Sequence, residues 1–298
     1  MKVAISGASG LIGSALASRL TADGADVVRL VRRAPRGPDE IGWDPFAGPG
    51  GLDPAALAGV DAVVHLSGAP IAEGRWTQAR KALLRASRIQ TTATLVAAIT
   101  AARPRPSVLL SGSAIGFYGD TGDRVTDESA PPGTGFLADL VRDWEAAAAP
   151  AADAGVRVAT LRTGVVLAAG GGMLGRLLLP FRLGLGTQIG SGRQYLSWIS
   201  LTDEVRAIGF LLDAPVTGPV NLTAPAPVTN AEFTRALGHV LGRPTLLRVP
   251  GAALRAGLGE VASELLASAR IVPAALTGAG FAFDHPDIAT ALAAELSR

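Results

Sequence analysis

The chain has 298 residues, 48% of them hydrophobic, with 27 basic against 25 acidic side chains and a formal net charge of +2, enough for one large α/β unit or two intimate domains. Cysteine is absent, which excludes disulfides, thiolate catalysis and thiol metal sites and suits a cytoplasmic protein; His65, His239 and His285 lack metal-ligand spacing, so no metal is expected. No polybasic block marks a nucleic-acid partner, and no uninterrupted run of roughly 18 apolar residues marks a membrane span.

The opening "MKVAISGASG" reads as a strand and a glycine-rich turn rather than a signal peptide. Short apolar runs then alternate with helical patterns, the signature of βαβ units and a parallel sheet. Strands are expected at 3–6, 27–31, 62–66, 108–111 and 156–161, with a weaker one at 40–43 before the turn-rich "DPFAGPGG". Their near-continuous Val, Ile, Leu and Ala suit a sheet buried on both faces. Helices are expected at 11–23, 75–102 and 136–148, the last broken by Pro150. Beyond residue 165, "LAAGGGMLGRLLLPFRLGLGTQIGSGRQYLSWIS" mixes glycines with large apolar groups, as a loop-rich cover over a cleft does. "LTDEVRAIGFLLDA" reads as a helix, "GPVNLTAP" as a strand returning to the sheet near 218–222, and "NAEFTRALGHVLG" as a helix capped by Asn230. A strand and a helix in "GFAFDHPDIATALAAEL" close the chain. The fold class is therefore α/β, a doubly wound parallel sheet over 1–165, with 166–298 mainly a smaller C-terminal, substrate-side region.

In "VAISGASGLIG", Gly7, Gly10 and Gly13 follow an apolar strand and open a helix. Glycine permits the tight turn and the close approach of backbone to phosphate, and the helix start offers free N–H groups and a positive dipole end. Gly7, Ser9, Gly10, Leu11, Ile12 and Gly13 are accordingly the expected cradle of a dinucleotide. The next strand ends in Arg32 and Arg33, with no acid where an NAD site keeps one for the ribose 2′-hydroxyl. Guanidinium groups pair with a 2′-phosphate, which favours NADP, with NADPH preferred over NADH. Leu66, Ser67 and Gly68 in "HLSGAPI" are expected beside the adenosine and pyrophosphate, while His65 reads as a packed core histidine.

"GASGLIG", "HLSGAPI", "SGSAIGFYG" and "LRTGVVL", in that order, resemble the extended short-chain dehydrogenase/reductase superfamily over almost the whole chain. With "WDP", "GRWTQARKALLRASRI", "LLPFRLGLG", "GSGRQYLSWI" and "GFAFDHP", the chain resembles the atypical subgroup described as nucleoside-diphosphate-sugar epimerase-like; Thr187 stands where that subgroup carries glycine. The resemblance implies a Rossmann domain, an NADP(H) site and a smaller C-terminal substrate-side domain. It also implies that Arg88 in "ASRI" and Arg162 in "LRTG" face the cofactor, and that a homodimer packs through the two long helices.

Typical members carry a Tyr-x-x-x-Lys pair, one helical turn apart, whose lysine lowers the tyrosine pKa. Counting back from Glu145, the corresponding positions here are Leu137 and Val141, or Phe136 and Leu140 with a one-residue slip; all four are apolar. Ser113 matches the superfamily serine that contacts a substrate oxygen, and Tyr118 lies near enough to substitute as acid, so these two are the catalytic candidates. Other conceivable proton carriers are Asp120, Asp123, Asp127 and Glu128 before the helix and Asp139, Asp143 and Glu145 on it; the buried stripe turns Asp139 and Asp143 to water, and exposed helix acids read as solubility and capping charges. Asp203 reads as a cap or loop anchor, and Arg176, Arg182 and Arg193 either as contacts for an anionic substrate or as plain surface charge. Two readings follow: an NADP(H)-dependent oxidoreductase or epimerase acting on a small polar substrate, such as a nucleotide sugar or another carbonyl compound, with a rearranged proton relay; or a non-catalytic NADP(H)-binding sensor or interaction protein.

Overall fold

The alternation of apolar runs and helical patterns resolves into a seven-stranded parallel sheet with helices on both faces. A computed structural model of the chain describes residues 1–71 and 73–297. The first half runs β1 (Lys2–Ser6), α1 (Leu11–Ala22), β2 (Asp26–Val31), β3 (Glu40–Gly42), β4 (Ala62–His65), α2 (Gln78–Ala101), β5 (Val108–Ala114), α3 (Phe136–Asp153) and β6 (Arg157–Thr163). The second half runs β7 (Val165–Ala168), α4 (Gly172–Arg182), β8 (Thr187–Ile189), β9 (Tyr195–Leu196), β10 (Trp198–Ser200), α5 (Leu201–Asp213), β11 (Gly218–Leu222), β12 (Val228–Thr229), α6 (Asn230–Leu241), β13 (Leu247–Val249), α7 (Gly251–Leu258), α8 (Val261–Leu266), α9 (Ala274–Gly278) and α10 (Ile288–Leu296).

The strand order is β11-β6-β5-β4-β1-β2-β3, every neighbouring pair parallel. The order reverses at β1, so a crevice opens where the carboxyl ends of β1 and β4 diverge. Side-chain alternation divides the apolar residues between two cores. Val3, Ile5 and Val64 face α1 and α5, while Ala4, Val63 and Leu109 face Trp43, Leu57 and α2. His65 is fully buried, bonded through its ring to Ser6 and Thr91, and burial pushes its pKa down to about 4. It is the core histidine the sequence indicated.

A third core, centred on Leu174, Phe181, Trp198, Phe233 and Leu292, is built wholly from residues after 165. Here four expectations fail. The glycine-rich stretch after 165 is not mainly loop, because its apolar residues recur at helical spacing and form α4. Pro150 does not break α3, which continues to Asp153; a proline in the last turns forfeits one hydrogen bond without ending the helix. The cap of α6 is Thr229, not Asn230, with Glu232 completing a reciprocal capping box; Asn230 instead accepts from the Ile189 N–H. Residues 281–287 form no strand; Phe281 and Phe283 meet edge-on and pack into the first core. Thr187 sits in extended β8 opposite Leu247, a conformation that needs no glycine.

Candidate functional site

Each glycine of the first turn answers to a measured approach. Gly7 has φ +71°, and a Cβ there would come within 2.7 Å of the Leu66 carbonyl. A Cβ at Gly13 would stand 2.2 Å from the Gly7 oxygen. Gly10 donates to that oxygen at 2.9 Å and caps α1 with no side chain, leaving the first helical N–H groups uncovered. Ser9 is exposed above this turn, Leu11 and Ile12 begin the helix, and Ile12 and Leu66 pack on the first core. Leu66, Ser67 and Gly68 continue from β4 along the same crevice.

The two arginines after β2 differ. Arg33 grips both carboxylate oxygens of Glu40, holding that carboxyl down to about 2. Arg33 is therefore not the free cation the sequence suggested. Arg32 is exposed and, among the described residues, forms no ion pair.

Arg88, from the middle of α2, turns toward Gly68, where a Cβ would meet the guanidinium carbon at 3.3 Å. Its N–H groups reach the Leu84 carbonyl at 3.4 Å and Ser87 Oγ at 3.5 Å, and its plane lies 5.2 Å from the Trp144 ring. Among the described residues no carboxylate comes within 4.0 Å of it. Burial, and then the charge of Arg80, lower its pKa to about 10. A half-buried cation without a counter-charge, set against a glycine on the crevice, is a built place for an anion.

Beyond it lies a hydrogen-bonded chain across β5, α3, β6 and β11. Ser113 Oγ donates to Glu145 Oε1 at 2.6 Å. Arg162 donates to both oxygens of that carboxylate, from Nε and from Nη2, each at 2.8 Å. Arg162 Nη1 donates to the Tyr118 hydroxyl at 2.8 Å, and that hydroxyl donates to Asn221 Oδ1 at 2.8 Å. Strand register makes the alignment possible, because Ser113 pairs with Arg162 across β5 and β6. Burial penalises the Arg162 cation, but the hydrogen bond and charge of Glu145 outweigh it and raise its pKa. The guanidinium also stacks 3.5 Å from the Phe117 ring centre.

Tyr118 is 3% exposed, and burial raises its pKa against the opposing pull of Arg162. A proton-exchanging phenol needs the opposite shift. The geometry thus gives Tyr118 to the fixing of Arg162. Glu145, named from sequence only as one of seven conceivable proton carriers, is the one that the fold brings to Ser113 and Arg162. A signal existed: it stands one turn beyond Val141 and two beyond Leu137, on the face of α3 turned to the sheet. Asp139 remains largely solvent-facing beside Arg142, whereas Asp143 pairs with Arg85.

The remaining acids hold structure. Glu128 Oε1 accepts from the Asn221 and Ala275 N–H groups, Asp120 from Gly122 and Ser268, and Asp127 from Ser129. Asp203 accepts from the Asp284 and His285 N–H groups, anchoring that loop as expected. Glu204, at the start of α5, is fully buried; among the described residues it accepts only from Thr163 Oγ1, at 2.9 Å, and burial raises its pKa to about 8. Arg75 donates to the Gly257 carbonyl at the end of α7 at 2.9 Å, and Lys81 of α2 pairs with Glu260, just before α8, at 2.6 Å. Among the described residues no group of His, Cys, Asp and Glu is arranged to hold a metal, and no helix is long and apolar enough to cross a membrane.

Residues 3–223 match the model of the NAD dependent epimerase/dehydratase family, and residues 249–295 match a domain of unknown function. The chain is 54% identical over 292 residues to an epimerase family protein of Mycobacterium bovis, covering 97% of this chain and 96% of that one. Among solved structures, the human epimerase family protein SDR39U1 with NADPH aligns with a TM-score of 0.91 at 35% identity, over 100% of this chain and 99% of that chain. The nucleoside-diphosphate sugar epimerase from Corynebacterium glutamicum aligns with a TM-score of 0.81 at 37% identity, over 99% of this chain and 58% of that one.

Proposed function

The chain belongs to the NAD dependent epimerase/dehydratase family, and on that premise we propose that it is an NADP(H)-dependent oxidoreductase or epimerase of the atypical extended short-chain dehydrogenase/reductase type, acting on a small polar hydroxyl or carbonyl compound. The observation that carries the reading is Ser113 bonded to the Glu145–Arg162 ion pair, on the strands next to the glycine crevice.

The residues present fit such a cofactor. Gly7 and Gly13 leave space that a Cβ would fill, the α1 N-terminus offers N–H groups, and Arg88 lacks a counter-charge. Arg32 is the cation available to a 2′-phosphate, which favours NADP(H), and the human relative was solved with NADPH. When bound, the cofactor supplies or accepts a hydride.

The chain's own residues then handle the accompanying proton. Ser113 Oγ takes the proton of a substrate hydroxyl as its own proton passes to Glu145, and the reverse transfer protonates a substrate carbonyl oxygen. Arg162 holds the carboxylate in line, and Tyr118, Phe117 and Asn221 hold Arg162. The pair is a rearranged relay one turn further along α3 than the Tyr-x-x-x-Lys positions, which are Leu137 and Val141 here.

Those two apolar positions favour a second reading, a non-catalytic NADP(H)-binding sensor or interaction protein. Titration with NADPH and NADH, followed by a screen of carbonyl compounds and nucleotide sugars for loss of reduced-cofactor absorbance, separates the two. Binding with turnover that Ser113→Ala abolishes supports the enzyme; binding without turnover by any compound supports the sensor; no binding removes both.

A further inference from the structure

Away from the glycine crevice, the turn between β8 and β9, the start of α6, the loop around Asp123 and the segment before α9 line a hollow of about 420 Å³. It shares no residue with the cradle or with the Ser113–Glu145–Arg162 chain. Arg193, Arg235 and Arg270 line it, each from a different segment, with Tyr195, Thr229 and a single acid, Asp123.

Several arginines elsewhere in this chain are held by acids. In the hollow between α1 and α5, Arg19 pairs with Asp23 at 2.6 Å and Arg206 with Asp203 at 2.7 Å. Around the second hollow, among the described residues, none of the three guanidiniums lies within 4.0 Å of a carboxylate. Glu232, one turn before Arg235 on α6, is folded back onto Thr229, accepting from its N–H at 2.7 Å and its hydroxyl at 2.8 Å. Its charge reaches Arg235, and its Oε2 is committed to the capping box.

Arg270 is held in advance of any ligand. Its guanidinium stacks 4.6 Å from the Tyr195 ring centre, and Nη1 donates to the Asp123 carbonyl at 3.2 Å. An arginine fixed through ring and carbonyl keeps its other N–H groups and its full charge for an anion. Thr229 and Ala231 bring the positive end of the α6 dipole to the same hollow. Three like charges around one space repel one another, a cost that an anion of matching charge relieves.

We propose that this hollow is a second anion site, which takes a phosphorylated small molecule through Arg193, Arg235 and Arg270 independently of the dinucleotide cradle. Paired guanidinium N–H groups match phosphate oxygens, and three cations call for more charge than one carboxylate carries. The proposal does not depend on the hydride chemistry above.

Pyrophosphate is the probe, titrated calorimetrically into the protein with and without saturating NADPH. The expected result is saturable binding in both cases, with equal affinity and progressive weakening as salt is raised. With NADPH saturating the glycine cradle, Arg193→Ala and Arg235→Ala each weaken it about tenfold, and the double variant abolishes it. Both arginines are exposed, so the double variant should keep the wild-type melting temperature and NADPH affinity. Three outcomes overturn the proposal: no saturable binding, unchanged binding in the double variant, or displacement of pyrophosphate by NADPH, which would assign the anion to the glycine cradle.

Discussion

Ser113 Oγ and Glu145 Oε1 stand 2.6 Å apart although 32 positions separate them in the chain. One residue comes from β5, the other from the helix that crosses its end, and Arg162 of β6 binds the same carboxylate. This contact places a carboxylate next to the serine, beside a helix that carries neither tyrosine nor lysine.

If the pair carries the proton, Glu145→Gln and Ser113→Ala should each lower kcat about a hundredfold or more for whichever compound the screen identifies. NADPH dissociation constants should stay within a few-fold of wild type. Equal losses of kcat and of cofactor affinity in both variants would indicate that the pair only supports the fold.

Restoring the common catalytic pair should fail for a structural reason. Val141 is 2% exposed, packed with Phe117, Tyr118 and Ile271. Val141→Lys buries an ammonium among them, with Glu145 already committed to Arg162, at a cost of about 3 kcal/mol or more. The melting temperature should fall by several degrees in thermal unfolding, both alone and combined with Leu137→Tyr. An undiminished melting temperature would show that the lysine finds a partner or water.

Arg88→Ala should weaken NADPH and NADH alike, by roughly ten- to a hundredfold, since the half-buried cation has no acid to release when it is lost. Arg32→Ala should act differently, narrowing the preference for NADPH over NADH. Arg33→Ala should narrow it less, because Arg33 already spends its fork on Glu40. Fluorescence titration of the two reduced cofactors against the three variants distinguishes these roles.

Glu204 makes stability depend on pH. Its folded pKa is raised to about 8 from 4.5 by burial, so between those values the unfolded chain releases a proton that the folded chain keeps. Stability therefore declines as pH rises through that window and levels off above it, a difference of a few kcal/mol for a gap of this size. Glu204→Gln should remove this slope, raising the melting temperature at pH 8 more than at pH 5. Parallel pH profiles for variant and wild type would rule out the titration.

The sheet was legible because its determinants are local. Apolar runs at strand length, a glycine triplet between strand and helix, and the period of α3 are properties of neighbouring residues, and the expected strands appear within a few positions of their bounds. Capping chemistry was less legible at α6, where Thr229 and Asn230 both fit the pattern and only the reciprocal bond from Glu232 chose between them. The glycine cradle could be read for the same local reason: the carbonyls that exclude a Cβ at Gly13 lie six residues back in the same turn.

The sequence by itself determined the βαβ order, the cradle and the absence of a tyrosine and lysine from α3. Tertiary structure alone decided which polar groups meet beside that helix. Whether Glu145 solvates a surface or receives a proton depends on how α3 lies across β5 and β6. Whether Arg88, Arg33 or Arg270 is a free cation depends on which acids packing brings within reach. Charge and hydroxyl chemistry act over a few ångströms between segments far apart in the chain, so composition names the groups but only the packed fold pairs them.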